Sequence, residues 1–281
     1  MKLLRIGPNG AERPAILDAD GQLRDLSGQV PDLAGDAVSQ DALARVAALD
    51  TANLPVIEEP GRIGPCLGWV PNFIAIGLNY AQHAAETGAR EPEEPIIFSK
   101  VTSCLSGPND PVPLPRESTK ADWEVELGVI IGRDTLYVPE EDALDHVAGY
   151  CVINDVSERA FQIERGGQWV KGKSAPGFGP IGPWLVTADE VPDPQTLDLS
   201  LALNGETVQS SNTSDMIFGV AEIVSYLSRF MLLRAGDIIA TGTPSGVGLG
   251  MSPQRFLKPG DVMELTIEGL GDQRQEVVAA S

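Results

Sequence analysis

The chain has 281 residues, with 40 acidic side chains against 20 basic ones and a net charge of −20. At 42% hydrophobic and 21% charged it has the composition of a folded globular protein, and with no basic stripe its acidic surface excludes nucleic acid and anionic membranes as partners. Cys66, Cys104 and Cys151 are odd in number and lack CxxC spacing, which excludes a disulfide scaffold or zinc knuckle and fits a reducing cytoplasm.

The start, MKLLRIGPNG, breaks at Arg5 and Pro8 before any stretch long enough for a signal peptide. No apolar run reaches the roughly 18 residues that a membrane span requires. A cytoplasmic protein with no membrane contact is expected.

Residues 1–66 read as a small α+β module. Ala15–Asp18 and Gln22–Leu26 flank Ala19-Asp20-Gly21, a hairpin signal. SQDALARVAALD (39–50) has helical spacing, with Leu43, Val46 and Leu49 on one face. The Pro/Gly-rich PVIEEPGRIGP (55–65) connects it to the remainder.

Residues 67–281 read as a curled, mostly β domain with few helices. PNFIAIGLN (71–79), PIIFSK (95–100), ADWEVELGVIIG (121–132) and AGYCVIND (148–155) are apolar strands. YAQHAAETGAR (80–90) is a short helix stopped by Gly88. GQWVKGKSAPGFGPIGP (167–183) reads as a glycine-rich loop whose Lys171 and Lys173 suit an anion contact. LDLSLALNGETVQSS (197–211) is a hairpin around Asn204-Gly205. SDMIFGVAEIVSYLSRFM (214–231) is a strong amphipathic helix with Ser214 as N-cap. Two Gly-Asp turns then feed strands, in LLRAGDIIATGTPSGVG (232–248) and FLKPGDVMELTIEGLG (256–271).

Residues i and i+2 of a strand point the same way, so Glu124 and Glu126 can converge on one point. Two carboxylates on a half-buried face repel and lose hydration. A divalent cation relieves both, and oxygen ligands suit Mg²⁺, Mn²⁺ or Ca²⁺. Asp155, at the end of its strand, is the candidate third ligand. The competing reading puts both glutamates on the solvent face of an edge strand.

His83 and Glu86 are neighbours at i, i+3 of a helix. The carboxylate would orient the imidazole and raise its basicity, giving a general base; an ordinary surface ion pair is the competing reading. His146 reads as structural. ATGTPSGVG (240–248) lacks the Lys of a phosphate-binding loop, but its threonines and backbone amides suit a carboxylate. No GxGxxG follows a strand, which argues against a dinucleotide cofactor.

In order and spacing, GLNYAQHAAE, PIIFSK, DWEVELGVIIG, YCVINDVSER, KGKS and SDMIFGVAEIVSYLS…LRAGDIIATGTPSGVG resemble the fumarylacetoacetate hydrolase superfamily over about residues 70–270. The resemblance implies an α+β, mostly β fold: a mixed β-roll catalytic domain (67–281) with a small N-terminal α+β domain (1–66), assembled as a homodimer. It implies Mg²⁺, with Mn²⁺ as the substitute, on Glu124, Glu126 and Asp155. His83 and Glu86 match the catalytic dyad on a lid helix, and Lys173 matches the active-site lysine. Tyr80, Arg159, Gln162 and Thr243 match positions lining the substrate pocket. After KGKS the chain departs from many relatives, carrying Ala175-Pro176-Gly177-Phe178.

The implied substrate is a small 2-oxo or 2,4-diketo acid, cleaved hydrolytically at a C–C bond to pyruvate and a second acid. GQWVKGKS…GPIGPWLVTADEVPDP and the N-terminal start look most like the sugar-acid branch, the 2,4-diketo-3-deoxy-L-rhamnonate and -fuconate hydrolases, whose second product is lactate. The alternatives are an oxaloacetate or other 2-oxo-acid decarboxylase or an isomerase of the same superfamily, and, outside enzymes, a small-acid binding protein.

Overall fold

The computed structural model describes residues 1–279. In the larger sheet the N-terminal strands are β1 (Lys2–Ile6), β2 (Arg13–Leu17) and β3 (Leu23–Asp25), followed by β4 (Phe73–Gly77) and β5 (Ile96–Lys100). Next come β6 (Val125–Ile131), β7 (Val147–Asn154) and β8 (Gly179–Thr187). The smaller sheet is built on β9 (Asp198–Leu203) and β10 (Glu206–Asn212), and the chain returns to the larger sheet with β11 (Ile238–Ala240). β12 (Val262–Ile267) and β13 (Gly271–Val278) extend the smaller sheet, whose edge beyond β13 is the short pair Val112–Pro113.

β6 is β-branched at four of its seven positions and buried at all seven. That composition suits a strand covered on both faces. β6 lies inside the order β3-β2-β1-β8-β7-β6-β11-β4-β5, antiparallel to β7 and β11. The edge-strand reading of Glu124 and Glu126 is therefore excluded. β11 runs parallel to β4, which brings the chain after Gly77 beside the chain after Ala240.

The N-terminal strands extend this same sheet: β1 pairs with β8 in the register Lys2↔Val186 and Leu3↔Leu185. Leu3, Ile16, Val38 and Leu43 join the core formed with β6 and β7. The helix α1 (Gln40–Ala47) is capped by the Ser39 side chain, which accepts from the Ala42 amide. In the smaller sheet, ordered β10-β9-β12-β13, β12 alternates buried and open positions, the period-two pattern of a sheet covered on one face. Its β9–β10 hairpin turns at Asn204 and Gly205, both at positive φ, as a two-residue connection requires. No described helix is long and apolar enough to cross a membrane.

Two expectations need correction. The helix placed at 214–231 spans only Val220–Ser228 (α3), and its N-cap position is Gly219, not Ser214. Asn79 is the reason: its carbonyl accepts from the Ile217 amide and its side chain accepts from the Phe218 amide. Those tertiary bonds hold the preceding chain out of the helix, while Ser214 sits in a separate turn capped by Asn212. The segment read as a loop at 167–183 contains a helical turn, Val170–Lys173, and the start of β8. Lys171 and Lys173, two apart on that turn, point to different sides. Lys171 is exposed and donates to the Arg165 carbonyl, and Lys173 is buried.

Candidate metal and catalytic site

Glu124, Glu126 and Asp155 are all buried and each offers an oxygen within 4.8 Å of the others. The smaller sheet fixes the backbone that presents them. The Glu124 amide donates to Asn154 Oδ1 at 3.2 Å, and the Val125 amide donates to Gln209 Oε1 at 3.0 Å. Gln275 Oε1 accepts from Asn154 Nδ2 in turn. A buried layer of amide side chains thus supplies the partners that this irregular start of β6 lacks in the sheet, where an orphaned amide would cost about 1–3 kcal/mol.

Four buried carboxylates, Asp122, Glu124, Glu126 and Asp155, are gathered with three buried cations, Lys100, Arg159 and Lys173. Lys173 Nζ donates to Glu124 Oε2 at 2.6 Å and to Asp155 Oδ2 at 2.7 Å. Lys100 donates to Asp155 Oδ1 and to the Lys173 carbonyl. Arg159 Nε donates to Asp122 Oδ2 at 2.8 Å, and its Nη2 forms a close ion pair with Glu124 Oε1 at 2.7 Å. Glu126 has no cation partner among the described residues; its Oε2 accepts from the Gly242 amide at 2.8 Å.

Titration follows this arrangement. Burial opposes ionisation of Glu124, but the Arg159 and Lys173 cations outweigh it and hold the carboxyl well below its usual range. Burial and the Asp155 and Glu124 charges push Glu126 well above that range. Burial alone would neutralise Lys173, and the Asp155 and Glu124 carboxylates more than offset it.

The donor set fits a hard divalent cation. An ion that takes oxygen at about 2.0–2.5 Å needs donors no more than about 5 Å apart, and those of the trio lie within 4.8 Å of one another. A divalent charge there also balances Glu126, the carboxylate left without a counter-ion. Glu124, Glu126 and Asp155 would hold it.

His83 is carried on α2 (Ala81–Glu86), and its Nδ1 lies 2.8 Å from Glu86 Oε1. The carboxylate can only accept, so Nδ1 donates the proton of this bond and Nε2 is the ring nitrogen left free of Glu86. Glu86 Oε2 accepts from the Gly246 amide at 2.9 Å. The 240–248 amides, read as suited to a carboxylate, hold carboxylates of the protein itself, while the Thr241 and Thr243 hydroxyls donate to the Leu127 and Val125 carbonyls. Gly242 holds Glu126, Gly246 holds Glu86, and Gly248 with Leu249 holds Asp122. One loop therefore ties α2 to the acidic cluster.

A cavity of about 190 Å³ is lined by His83, Glu124, Glu126, Asp155, Arg159, Gln162, Lys173 and Thr243. Gln162 Oε1 accepts from Arg159 Nη1 at 3.1 Å. Thr243 Oγ1 donates to the Val125 carbonyl and accepts from Gln209 Nε2, both at 2.9 Å. Tyr80 lies outside the lining; it is buried, and its hydroxyl has no hydrogen-bond partner among the described residues. Lys100, Asp122, Asn154 and Gln209 were not singled out from sequence. A lone lysine ending the apolar PIIFSK strand, and the aspartate before WEVE, were the available signals.

Residues 72–278 match the fumarylacetoacetate hydrolase C-terminal family, and the chain belongs to it. It is similar to a Burkholderia multivorans protein described as a "putative hydrolase", 59% identical over the whole of both chains. Among solved structures it resembles fumarylacetoacetate hydrolase from Exiguobacterium antarcticum, 36% identical with TM-score 0.85 over 99% of each chain. It also resembles 5-carboxymethyl-2-hydroxymuconate delta-isomerase from Mycobacterium smegmatis, 32% identical with TM-score 0.78 over all of both chains. A third is maleylpyruvate hydrolase from Sphingobium sp. SYK-6 in complex with manganese(II) and pyruvate, 30% identical with TM-score 0.81 over all of both chains.

Proposed function

We propose that this protein hydrolyses the C3–C4 bond of a 2,4-diketo acid, releasing pyruvate and a second carboxylic acid. The observation that carries this reading is the meeting in one cavity of three convergent carboxylates, a buried ammonium and a carboxylate-oriented imidazole. Mg²⁺ or Mn²⁺ on Glu124, Glu126 and Asp155 would supply Lewis-acid stabilisation to the oxyanion that develops as the bond breaks. The manganese and pyruvate in the Sphingobium relative support that assignment.

His83, held by Glu86, takes a proton from water, and the water oxygen bonds to C4. The C3–C4 electron pair passes to C3, leaving the enolate of pyruvate, and protonation at C3 completes the reaction. Water is consumed, and R–CO–CH₂–CO–COO⁻ becomes R–COOH and CH₃–CO–COO⁻. Lys173 holds positive charge beside the site of the developing oxyanion, and Arg159 and Gln162 border the acid's binding place. Such a positioned base contributes about 10²–10⁴-fold. The reading includes a homodimer acting in the cytoplasm, and the sugar-acid resemblance of 167–194 makes lactate one candidate second product.

The isomerase resemblance favours one other outcome, in which the enolate forms and is reprotonated without attack by water. Incubation with acetylpyruvate and Mg²⁺ or Mn²⁺, with pyruvate and acetate quantified, separates the two. Stoichiometric release of both acids is expected. Tautomerisation of unsaturated 2-hydroxy acids without cleavage of any diketo acid would reject the hydrolase.

A further inference from the structure

Besides its ionised residues the cavity is lined by apolar ones, among them Ile76, Phe98, Ile163, Trp169 and Leu249. Phe98 and Trp169 meet edge to face, with centroids 5.2 Å apart. Trp169 rests directly on backbone, since a Cβ on Gly77 would lie 2.5 Å from its ring. Ile163 is 52% exposed, a large apolar side chain left open at the cavity wall.

Most polar side chains of the lining are already engaged. Thr87 Oγ1 donates to the His83 carbonyl, and Thr243 Oγ1 to that of Val125. Arg159 and Lys173, the lining's cations, are held by Asp122, Glu124 and Asp155. Among the described residues the Gln162 amide, the Trp169 indole N–H and Arg159 Nη2, which is ion-paired with Glu124 but makes no hydrogen bond, remain as side-chain donors. Beside these few donors a hydroxylated tail would meet mostly apolar side chains, and a distal carboxylate would have to compete with Asp122, Glu124 and Asp155 for a cation.

We infer that the group beyond the C4 carbonyl is apolar, alkyl or aryl, and that Trp169 with Phe98 selects it. This rests on the diketo-acid reading and deepens it, and it departs from the hydroxylated tail of the sugar-acid branch.

The test compares 2,4-dioxohexanoate with 5-hydroxy-2,4-dioxohexanoate, which differ by one hydroxyl, and adds 2,4-dioxo-4-phenylbutanoate. Pyruvate release with Mn²⁺ gives kcat/KM. The alkyl and aryl acids should exceed the hydroxylated acid by about 10–100-fold, the range in which an apolar pocket discriminates against a hydroxyl. Trp169→Ala should bring the alkyl-to-hydroxyl ratio towards one, mainly through KM, and Ile163→Asn, at an open position, should narrow it. A wild-type ratio at or below one, or a ratio unmoved in both folded variants, overturns the inference and leaves the hydrolase standing.

Binding is read independently, by quenching of tryptophan fluorescence with 2-oxohexanoate and 5-hydroxy-2-oxohexanoate, which have no C4 carbonyl to attack. Tenfold tighter binding of the first, lost in Trp169→Ala, sustains the inference even if no diketo acid is cleaved. Equal or reversed affinities overturn it.

Discussion

The Lys173 ammonium lies 2.6 Å from Glu124 Oε2 and bridges it to Asp155. Its charge stands where it competes with a metal for the same two carboxylates. Charges this close in a buried site interact by several kcal/mol even at an effective dielectric of about 20. Lys173→Met should therefore bind Mn²⁺ about tenfold tighter or better by calorimetry, while losing about 10²-fold or more in pyruvate release. Weaker Mn²⁺ binding would mean that the lysine supports the metal site instead of opposing it.

Glu86 joins His83 to the 240–248 loop by accepting from both His83 Nδ1 and the Gly246 amide. Glu86→Gln keeps an acceptor and loses the charge that stabilises a protonated imidazole. Hydrolysis should fall by about 10²–10³-fold in kcat with KM nearly unchanged. Decarboxylation of oxaloacetate, which needs no activated water, should fall much less. Equal losses in the two reactions would remove His83 from the role of water-activating base.

Gln209 receives the Val125 amide and donates to Thr243 Oγ1 and the Pro244 carbonyl. Gln209→Leu leaves that amide without its partner where the ligand strand begins. A loss of about 1–3 kcal/mol in stability is expected, with weaker Mn²⁺ binding because Glu124 and Glu126 flank the freed backbone. Unchanged thermal unfolding and metal affinity would show that the strand holds its course without the amide layer.

Far from the site, Glu12 accepts from Arg62 Nη1 at 2.7 Å and from the Gly10 amide at 3.0 Å, with Arg5 Nη2 at 3.4 Å. Arg62 also pairs with Asp110, beyond the connector. Burial would raise the Glu12 carboxyl, but the Arg62 and Arg5 cations together with the amide bonds hold it below its ordinary 4.5. A depressed folded value stabilises the protein above the unfolded value, and the contribution disappears as pH falls through the folded one. Glu12→Gln should thus be less stable than wild type at pH 7, by about 1–3 kcal/mol for charged hydrogen bonds, and the difference should shrink as pH falls below 4.5 towards the folded value. Denaturant unfolding at pH 7 and at a series of pH values below 4.5 reads it, and a gap that does not narrow along the series would contradict the assignment.

Much of this was legible in the sequence because local patterns and tertiary structure agree. The apolar run around Glu124 and Glu126 is a central strand, Asp155 follows the strand beside it, and Asn204-Gly205 turns a hairpin. Tertiary hydrogen bonds overrode local signals elsewhere. Ser214 is a good cap by type, but Asn79 holds the next residues extended. Glycines suggested a loop around Lys173, yet packing winds it into a helical turn that sends Lys171 outward and Lys173 inward. The second layer was illegible for a different reason. Asn154 and Gln209 act on backbone amides 30 and 84 residues away in sequence, and no local period encodes such pairs.

The central claim is that one divalent ion joins Glu124, Glu126 and Asp155. Anomalous scattering from crystals of the full chain soaked in MnCl₂ tests it most directly. The account predicts a single strong manganese peak within about 2.0–2.5 Å of an oxygen from each carboxylate, lost in Glu126→Gln crystals. A wild-type map with no peak among the three, under manganese saturation and with Lys173 still bridging Glu124 and Asp155, would contradict it.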